Sequence, residues 1–475
     1  MSELWERDAW ELADGIRGGR LRARDVLEMH LERLDRFNGD LNAFHYLDAY
    51  GARAQADEID RRVRAGDDPG PWAGVPMGVK ELAAARGMPD THASLLFEGQ
   101  TAADDCTEVA RLRAAGAVIV GKTTAPEFGA TNWTHSYIHG VTRNPWNVER
   151  TPGGSSGGSA AAVSVGIMPI CTGSDGGGSI RIPCSYSGLF GFKVSFGRVG
   201  SGPGAYDTSL TSVPGPIARC VLDAARYIDA IAGPTVVDPT SLAKPPTPYE
   251  DGLRSGASLD QLRGKRAAWS ATLGFAVCDP EVEAIAHDAA MALVSDAGLE
   301  LVDVEPHLPR FGRAWGIVSG LDVAMSYLEQ ARGRMNDLTP VPRAGMEMIE
   351  RMTIDELLTA YRRRHELLVA IAAIFDEVDV LLTPTTATTA FIAEGPPPME
   401  IAGQRVGGIA SVPFTPPFNI SGQPAVSIPV GISDEGLPVG LQVVARRHEE
   451  DLVLAAGLTA EANRPWPKLA PMAYS

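Results

Sequence analysis

Gly116-Ala117-Val118-Ile119-Val120-Gly121-Lys122-Thr123 has two readings, and the choice between them decides the fold. Letter for letter it fits the phosphate-loop pattern G-x-x-x-x-G-K-[ST], whose four variable residues form a turn that cradles phosphate on backbone amides. Here those four residues are Ala, Val, Ile and Val, which contain no turn former and favour a pleated, buried strand. We therefore read a strand and set nucleotide binding aside. Working outward, Thr107 to Ala115 is helical in pattern, while Val75 to Val79 and Ile167 to Cys171 are further short apolar runs bounded by Gly-rich turns. Strands alternating with helices in this way define an α/β fold.

Further from that centre, Leu27, Leu31 and Leu34 fall on one helical face, and Ala49 to Val63 continues in an Ala-rich, charge-laced helical pattern. Residues 1–65 are thus read as N-terminal helices and 74–232 as a core. Residues 233–264 form a connection that opens with Pro234, Pro239, Pro245, Pro246 and Pro248, and 265–475 form a second lobe that completes the sheet and its pocket. In that lobe Glu281 to Ala297 and Met346 to Phe375 are predicted helical, and Val378 to Leu382 is predicted to be a buried strand. Ala425 to Val430 pairs with Val439 to Val444, and a last helix covers Glu449 to Ala462.

The formal charge of −17 has the wrong sign for binding phosphates or anionic lipid, which disfavours nucleic acid and membrane partners. The most apolar stretch, Ala160 to Cys171, falls short of the about 20 residues needed to cross a bilayer. Met1 to Leu12 carries Glu3, Glu6, Arg7, Asp8 and Glu11 and does not read as a secretory signal. Cys106, Cys171, Cys184, Cys220 and Cys278 contain no C-x-x-C pair, which fits a reducing cytoplasm.

Two Gly/Ser clusters carry the chemistry: Thr151-Pro-Gly-Gly-Ser-Ser-Gly-Gly-Ser159 and Gly173-Ser-Asp-Gly-Gly-Gly-Ser-Ile-Arg181. A lone Gly/Ser run would be a linker. These two are embedded in apolar sequence, with Ala160 to Val165 after the first and Phe190 to Val194 after the second. Consecutive glycines allow several N–H groups to converge beside a serine hydroxyl, so Gly176, Gly177, Gly178 and Ser179 are candidates for an oxyanion hole.

Gly153-Gly-Ser155-Ser-Gly157 also fits G-x-S-x-G, but His287, His307, His365 and His448 all lie outside distinctive loops. A Ser-His-Asp enzyme stays open at this point as the lesser reading. His135 and His139 read as a satisfied loop pair, not as metal ligands, and Ser241-Leu-Ala-Lys244 falls in the Pro-rich connection. No metal and no organic cofactor is called for. With histidine poorly placed, the base is sought among lysines, of which the 42 basic residues include only six. Lys80, in the apolar run Gly74-Val-Pro-Met-Gly-Val-Lys-Glu81, is where burial would lower an amine's pKa toward neutrality.

These motifs resemble those of the amidase signature family: a lysine in G-V-P-x-x-x-K-D/E, a G-G-S-S-G-G cluster and a G-[ST]-D-x-G-G-S-I-R cluster. The serines matching the family's reacting pair, Ser155 and Ser179, lie 24 residues apart, as they do in the family. The likeness extends through Asn144-Pro-Trp146, Asp379 to Thr385, Phe418-Asn-Ile-Ser-Gly-Gln-Pro424 and Gly436 to Gln442.

The resemblance implies one large α/β domain with a mixed, twisted central sheet covered by helices on both faces. It also implies an amidase that splits a carboxylic amide into acid and ammonia or amine. In that reading Ser179 is the nucleophile, Ser155 the shuttle after a cis peptide bond, and Lys80 the base; Ser156, Asp175 and Arg181 support them. Position 176 departs from the family, being Gly where many members have Ile or Thr. The closest subgroup by resemblance is that of general amidases and nylon-oligomer cyclic-dimer hydrolases, and a homodimer is compatible with it.

Pocket walls are expected from Phe128 to Tyr137, Phe311 to Tyr327 and Ile409 to Asn419. Phe128, Trp133, Trp315 and Phe414 point to an uncharged, partly hydrophobic small-molecule amide. The runner-up is the glutamine-hydrolysing component of a tRNA-dependent amidotransferase. A third reading is a non-catalytic binding protein that retains the fold.

Overall fold

Val118, Ile119 and Val120 are fully buried in a strand that runs Val118–Thr123, in a computed structural model that describes residues 3–202 and 207–475. The phosphate-loop reading fails for the reason expected, since Gly121, Lys122 and Thr123 continue the strand and form no turn. Eleven strands make one sheet. In chain order they are β1 (Phe44–Leu47), β2 (Pro76–Lys80), β3 (Val118–Thr123), β4 (Ile170–Asp175), β5 (Phe190–Lys193) and β6 (Val213–Ala218), followed by β7 (Arg266–Trp269), β8 (Glu300–Leu301), β9 (Val380–Pro384), β10 (Ala425–Ile432) and β11 (Pro438–Ala445). Their order across the sheet is β1-β3-β2-β4-β6-β5-β10-β11-β9-β7-β8.

The sheet is mixed. β3, β2 and β4 run parallel, as do β9, β7 and β8, while the strands between are antiparallel. Parallel neighbours need long crossovers, and the helices Thr107–Ala114 and Gly157–Ser164 supply two of them. β10 pairs with β5, so the sheet continues from the first half of the chain into the second as a single α/β domain. Residues 234–248 carry no helix or strand and are largely exposed, and two short helices, Tyr249–Arg254 and Ala257–Asp260, complete the predicted connection.

The N-terminal helix Ala23–Leu41 buries Leu27, Leu31 and Leu34 as its periodicity requires. One prediction needs correction. Met346 to Phe375 is not continuous but belongs to two helices, Pro340–Arg351 and Ile354–Glu377. The break has a local cause, because the Thr353 hydroxyl accepts from the Glu356 N–H and Glu356 returns the bond to the Thr353 N–H, a reciprocal cap that starts a new helix. Among the described residues no helix is long and apolar enough to cross a membrane.

Candidate active site

β2 and β4 are parallel neighbours, so their C-terminal ends reach the same edge of the sheet, the edge at which open α/β sheets hold ligands. Lys80 is the last residue of β2 and Asp175 the last of β4. The Lys80 N–H is pinned by the Thr172 hydroxyl at 2.8 Å, and its side chain is almost wholly buried. There Nζ donates to Ser155 Oγ at 2.8 Å and to Ser174 Oγ at 2.8 Å. Burial pushes the Lys80 pKa from 10.5 down to about 7, against an upward pull from Asp175 and Glu108. An amine so placed has the proton affinity and the contact that a base toward the Ser155 hydroxyl needs near neutral pH.

Ser155 follows a cis peptide bond with Gly154, as the resemblance implied, and leads into the helix Gly157–Ser164. The glycines around it have a steric reason. A side chain on Gly157 would collide with Thr134, one on Gly158 with Thr124, and one on Gly154 would approach Thr131 O to 2.8 Å. The two serine loops are joined directly, since the Ser156 N–H donates to Ser179 O at 3.2 Å. Ser156 Oγ also accepts from Ser174 N at 3.3 Å.

Asp175 and Arg181 are both fully buried and organise the second loop. The guanidinium meets the carboxylate through Nε and Nη2, each at 2.9 Å, and also donates to Gln442 Oε1 and Asn419 Oδ1, each at 2.6 Å. Asn419 Nδ2 closes the ring on Asp175 Oδ1 at 2.8 Å. Burial alone would raise the Asp175 pKa, but the adjacent Arg181 charge and these bonds hold it well below the usual carboxylate range.

The expected three-glycine donor set needs one correction. The Gly178 N–H donates to Asp175 Oδ1 at 2.7 Å and is therefore already satisfied within the loop. By contrast, the N–H groups of Gly176, Gly177 and Ser179 donate to no protein group among the described residues.

The three predicted wall segments all reach this edge. Gly129 packs beside Ser155 Oγ, Trp315 lies against Gly177, and Thr415 Oγ1 donates to Gly177 O at 2.8 Å. Phe128 stacks on Tyr327 with ring centres 4.4 Å apart. Phe414 is corrected: it is fully buried and its carbonyl accepts from Gln442, so it supports the loop and lines nothing.

Gln442 and Ser174 are site residues to which the sequence reading gave no role, while Thr415 and Asn419, expected only as part of a pocket wall, bond to Gly177 and to the Asp175–Arg181 pair. Asn419 and Gln442 did fall in stretches of family resemblance, which was the available signal. A second buried cluster was also missed. His45 and Glu81 lie 2.6 Å apart, His139 stacks on His45 with ring centres 3.8 Å apart, and Lys122 Nζ is 3.8 Å from the Glu81 carboxylate. The ligand atoms of His45, Glu81 and His139 lie within 4.8 Å of one another, as metal ligands would, and the Glu81 carboxylate also accepts from the Thr91 hydroxyl at 2.6 Å. His135 is not part of the cluster; it pairs with Val141 in a short hairpin.

An α/β sheet edge carrying a buried lysine on a serine hydroxyl, beside backbone amides without acceptors, defines a hydrolase of acyl compounds. Comparison with known proteins narrows the class. Residues 25–454 match the family described as Amidase. The chain is 33% identical over 465 residues to an acylamidase of Rhodococcus erythropolis, covering 96% of this chain and 95% of that protein. It is 36% identical over 495 residues to a glutamyl-tRNA(Gln) amidotransferase subunit of Acidothermus cellulolyticus, covering 97% and 95%. Among solved structures, 6-aminohexanoate cyclic dimer hydrolase in complex with substrate superposes with a TM-score of 0.88 at 28% identity, over 100% of both chains. The chain belongs to the amidase signature family and is an amide hydrolase. The non-catalytic reading falls with that result.

Proposed function

We propose that Ser179 is the nucleophile, Ser155 the proton shuttle and Lys80 the base of an amidase acting through an acyl-enzyme. Neutral Lys80 takes a proton from Ser155, which takes one from Ser179 as its oxygen bonds to the amide carbon. The negative oxygen of the tetrahedral intermediate is met by the N–H groups of Gly176, Gly177 and Ser179. Ser155 then gives a proton to the leaving nitrogen as the carbon–nitrogen bond breaks, and recovers one from Lys80. Water attacks the ester by the same relay and releases the acid. Asp175, Arg181 and Ser156 hold the loops in register. The observation that carries this reading is the 2.8 Å contact between Lys80 Nζ and Ser155 Oγ, with the amine buried enough to be half neutral near pH 7.

The substrate is an uncharged, partly hydrophobic small-molecule amide, a reading supported by the Trp315 ring against Gly177. Five unpaired cysteines support a reducing, cytoplasmic location. Similarity to a glutamyl-tRNA(Gln) amidotransferase component favours glutamine as the second substrate to assay. Labelling with a fluorophosphonate, followed by peptide mass spectrometry, tests the triad. An adduct on Ser179 that disappears in Lys80→Ala is expected, together with loss of amide turnover in Ser179→Ala. Near-full activity of Ser179→Ala would overturn the assignment, and an adduct on Ser155 would reverse the two serines.

A further inference from the structure

The loop Gly176-Gly177-Gly178 holds three glycines, but an added side chain would meet an obstruction at only two of them. A side chain on Gly178 would collide with Thr415, and its φ of +122° is strained for any other residue. A Cβ on Gly177 would lie 2.6 Å from the Trp315 ring. Gly176 is different. Its φ lies outside the left-handed region, it is half-buried, and a Cβ there would meet only Ser212, at 3.7 Å, an ordinary contact. Among the described residues nothing in the backbone or the packing demands glycine at 176, so no side chain stands beside the amides of 176 and 177, where Ser212 faces the first glycine and Trp315 the second.

The geometry of the intermediate says which half of the substrate meets that side of the loop. This step rests on the amidase reading above. The tetrahedral carbon carries the Ser179 oxygen, the oxyanion on the loop amides, the leaving nitrogen on the Ser155 side, and the acyl chain. Ser155 and Gly154 are walled by Gly129, Thr131, Asn132 and Trp133, whereas the loop of 176–178 is walled by Ser212, Trp315 and Thr415. With the nitrogen committed to the first wall, the acyl chain is left the second. We infer that Gly176, Ser212 and Trp315 form the acyl subsite, and that the missing side chain at 176 selects amides of bulky carboxylic acids, branched or aromatic, which rest on the Trp315 ring.

The test uses two substrate series on the whole protein: 4-nitroanilides of acetic, butyric, pivalic and benzoic acids, and acetamides of amines of increasing size. The readout is the ratio of kcat/KM between bulky and small members within each variant, so that a common loss from disturbed amides cancels. Gly176→Ile is expected to lower the benzoyl-to-acetyl ratio by about tenfold or more, Gly176→Ala by less, and Ser212→Leu, which adds bulk facing Gly176, in the same direction. The amine series should keep its ratios. An unchanged acyl ratio in both Gly176→Ile and Ser212→Leu would overturn the inference, as would a size effect confined to the amine series. Absence of hydrolysis by the unaltered protein, with no label on Ser179, would instead overturn the amidase reading beneath it.

Discussion

Replacing Lys80 with Met should destroy activity and yet make the protein more stable, by an amount that depends on pH in a defined way. Met fills nearly the same volume, so no large cavity opens. The folded lysine has a pKa of about 7 and the unfolded one about 10.5, a gap of about 3.5 pH units, or about 5 kcal/mol. Below about pH 7 both states carry the ammonium, and the folded state bears that whole desolvation cost. As pH rises toward 10.5 the folded amine is neutral while the unfolded one still holds its proton, so the cost shrinks, to about 3 kcal/mol at pH 8. Against the relief stand the hydroxyls of Ser155 and Ser174, which lose the Nζ partner at about 1 kcal/mol each. The variant is therefore expected to gain about 3 kcal/mol at pH 6 and about 1 kcal/mol at pH 8. Urea unfolding midpoints of both proteins at the two pH values measure this, with amide turnover followed in parallel. A variant less stable than the parent at pH 6, or a difference that does not change between pH 6 and 8, would refute the claim that burial is what depresses this amine.

Two further outcomes follow from the same geometry. Because Lys80 must be neutral to accept a proton, kcat/KM should fall about tenfold per pH unit below about pH 7, and a profile that stays flat to pH 5 would remove Lys80 as the base. Asn419→Leu strips an acceptor from Arg181 and a donor from Asp175 inside a fully buried ion pair, and should cost about 3 kcal/mol by urea midpoint; a loss under about 0.5 kcal/mol would mean that the pair does not depend on the amide.

The parts of this protein legible in its sequence are those governed by neighbours along the chain. Ala117 to Val120 betrays its strand because four apolar residues without a turn former have few alternatives, and the helix holding Leu27, Leu31 and Leu34 announces its buried face by spacing. The cap at Thr353 was equally local, but an apolar pattern that runs through it concealed the break. Gly178 shows a different limit. That glycines precede Ser179 is legible; which of their amides is left without a protein acceptor depends on where Asp175 sits, and that is fixed by Arg181, Asn419 and Gln442, the last 267 positions from Asp175. The His45, Glu81, Lys122 and His139 cluster is likewise assembled from four separate segments, and no spacing within any one of them signals it.

Lys193 shows why a depressed pKa does not by itself identify the base. It too is fully buried at the end of a strand, and burial, aided by the nearby Arg181 charge, brings it to about 7, the same value as Lys80. Its partners differ. Lys193 Nζ donates to the carbonyls of Val194 and Gln423, at 3.0 and 2.5 Å, and a carbonyl has no proton to surrender. Lys80 Nζ meets two hydroxyls, and one of them belongs to the loop whose next residue bonds to the backbone of Ser179. Burial makes both lysines weak enough to lose a proton near neutral pH, and the hydroxyl of Ser155 beside Lys80 is the reason the base is proposed to be Lys80 and not Lys193.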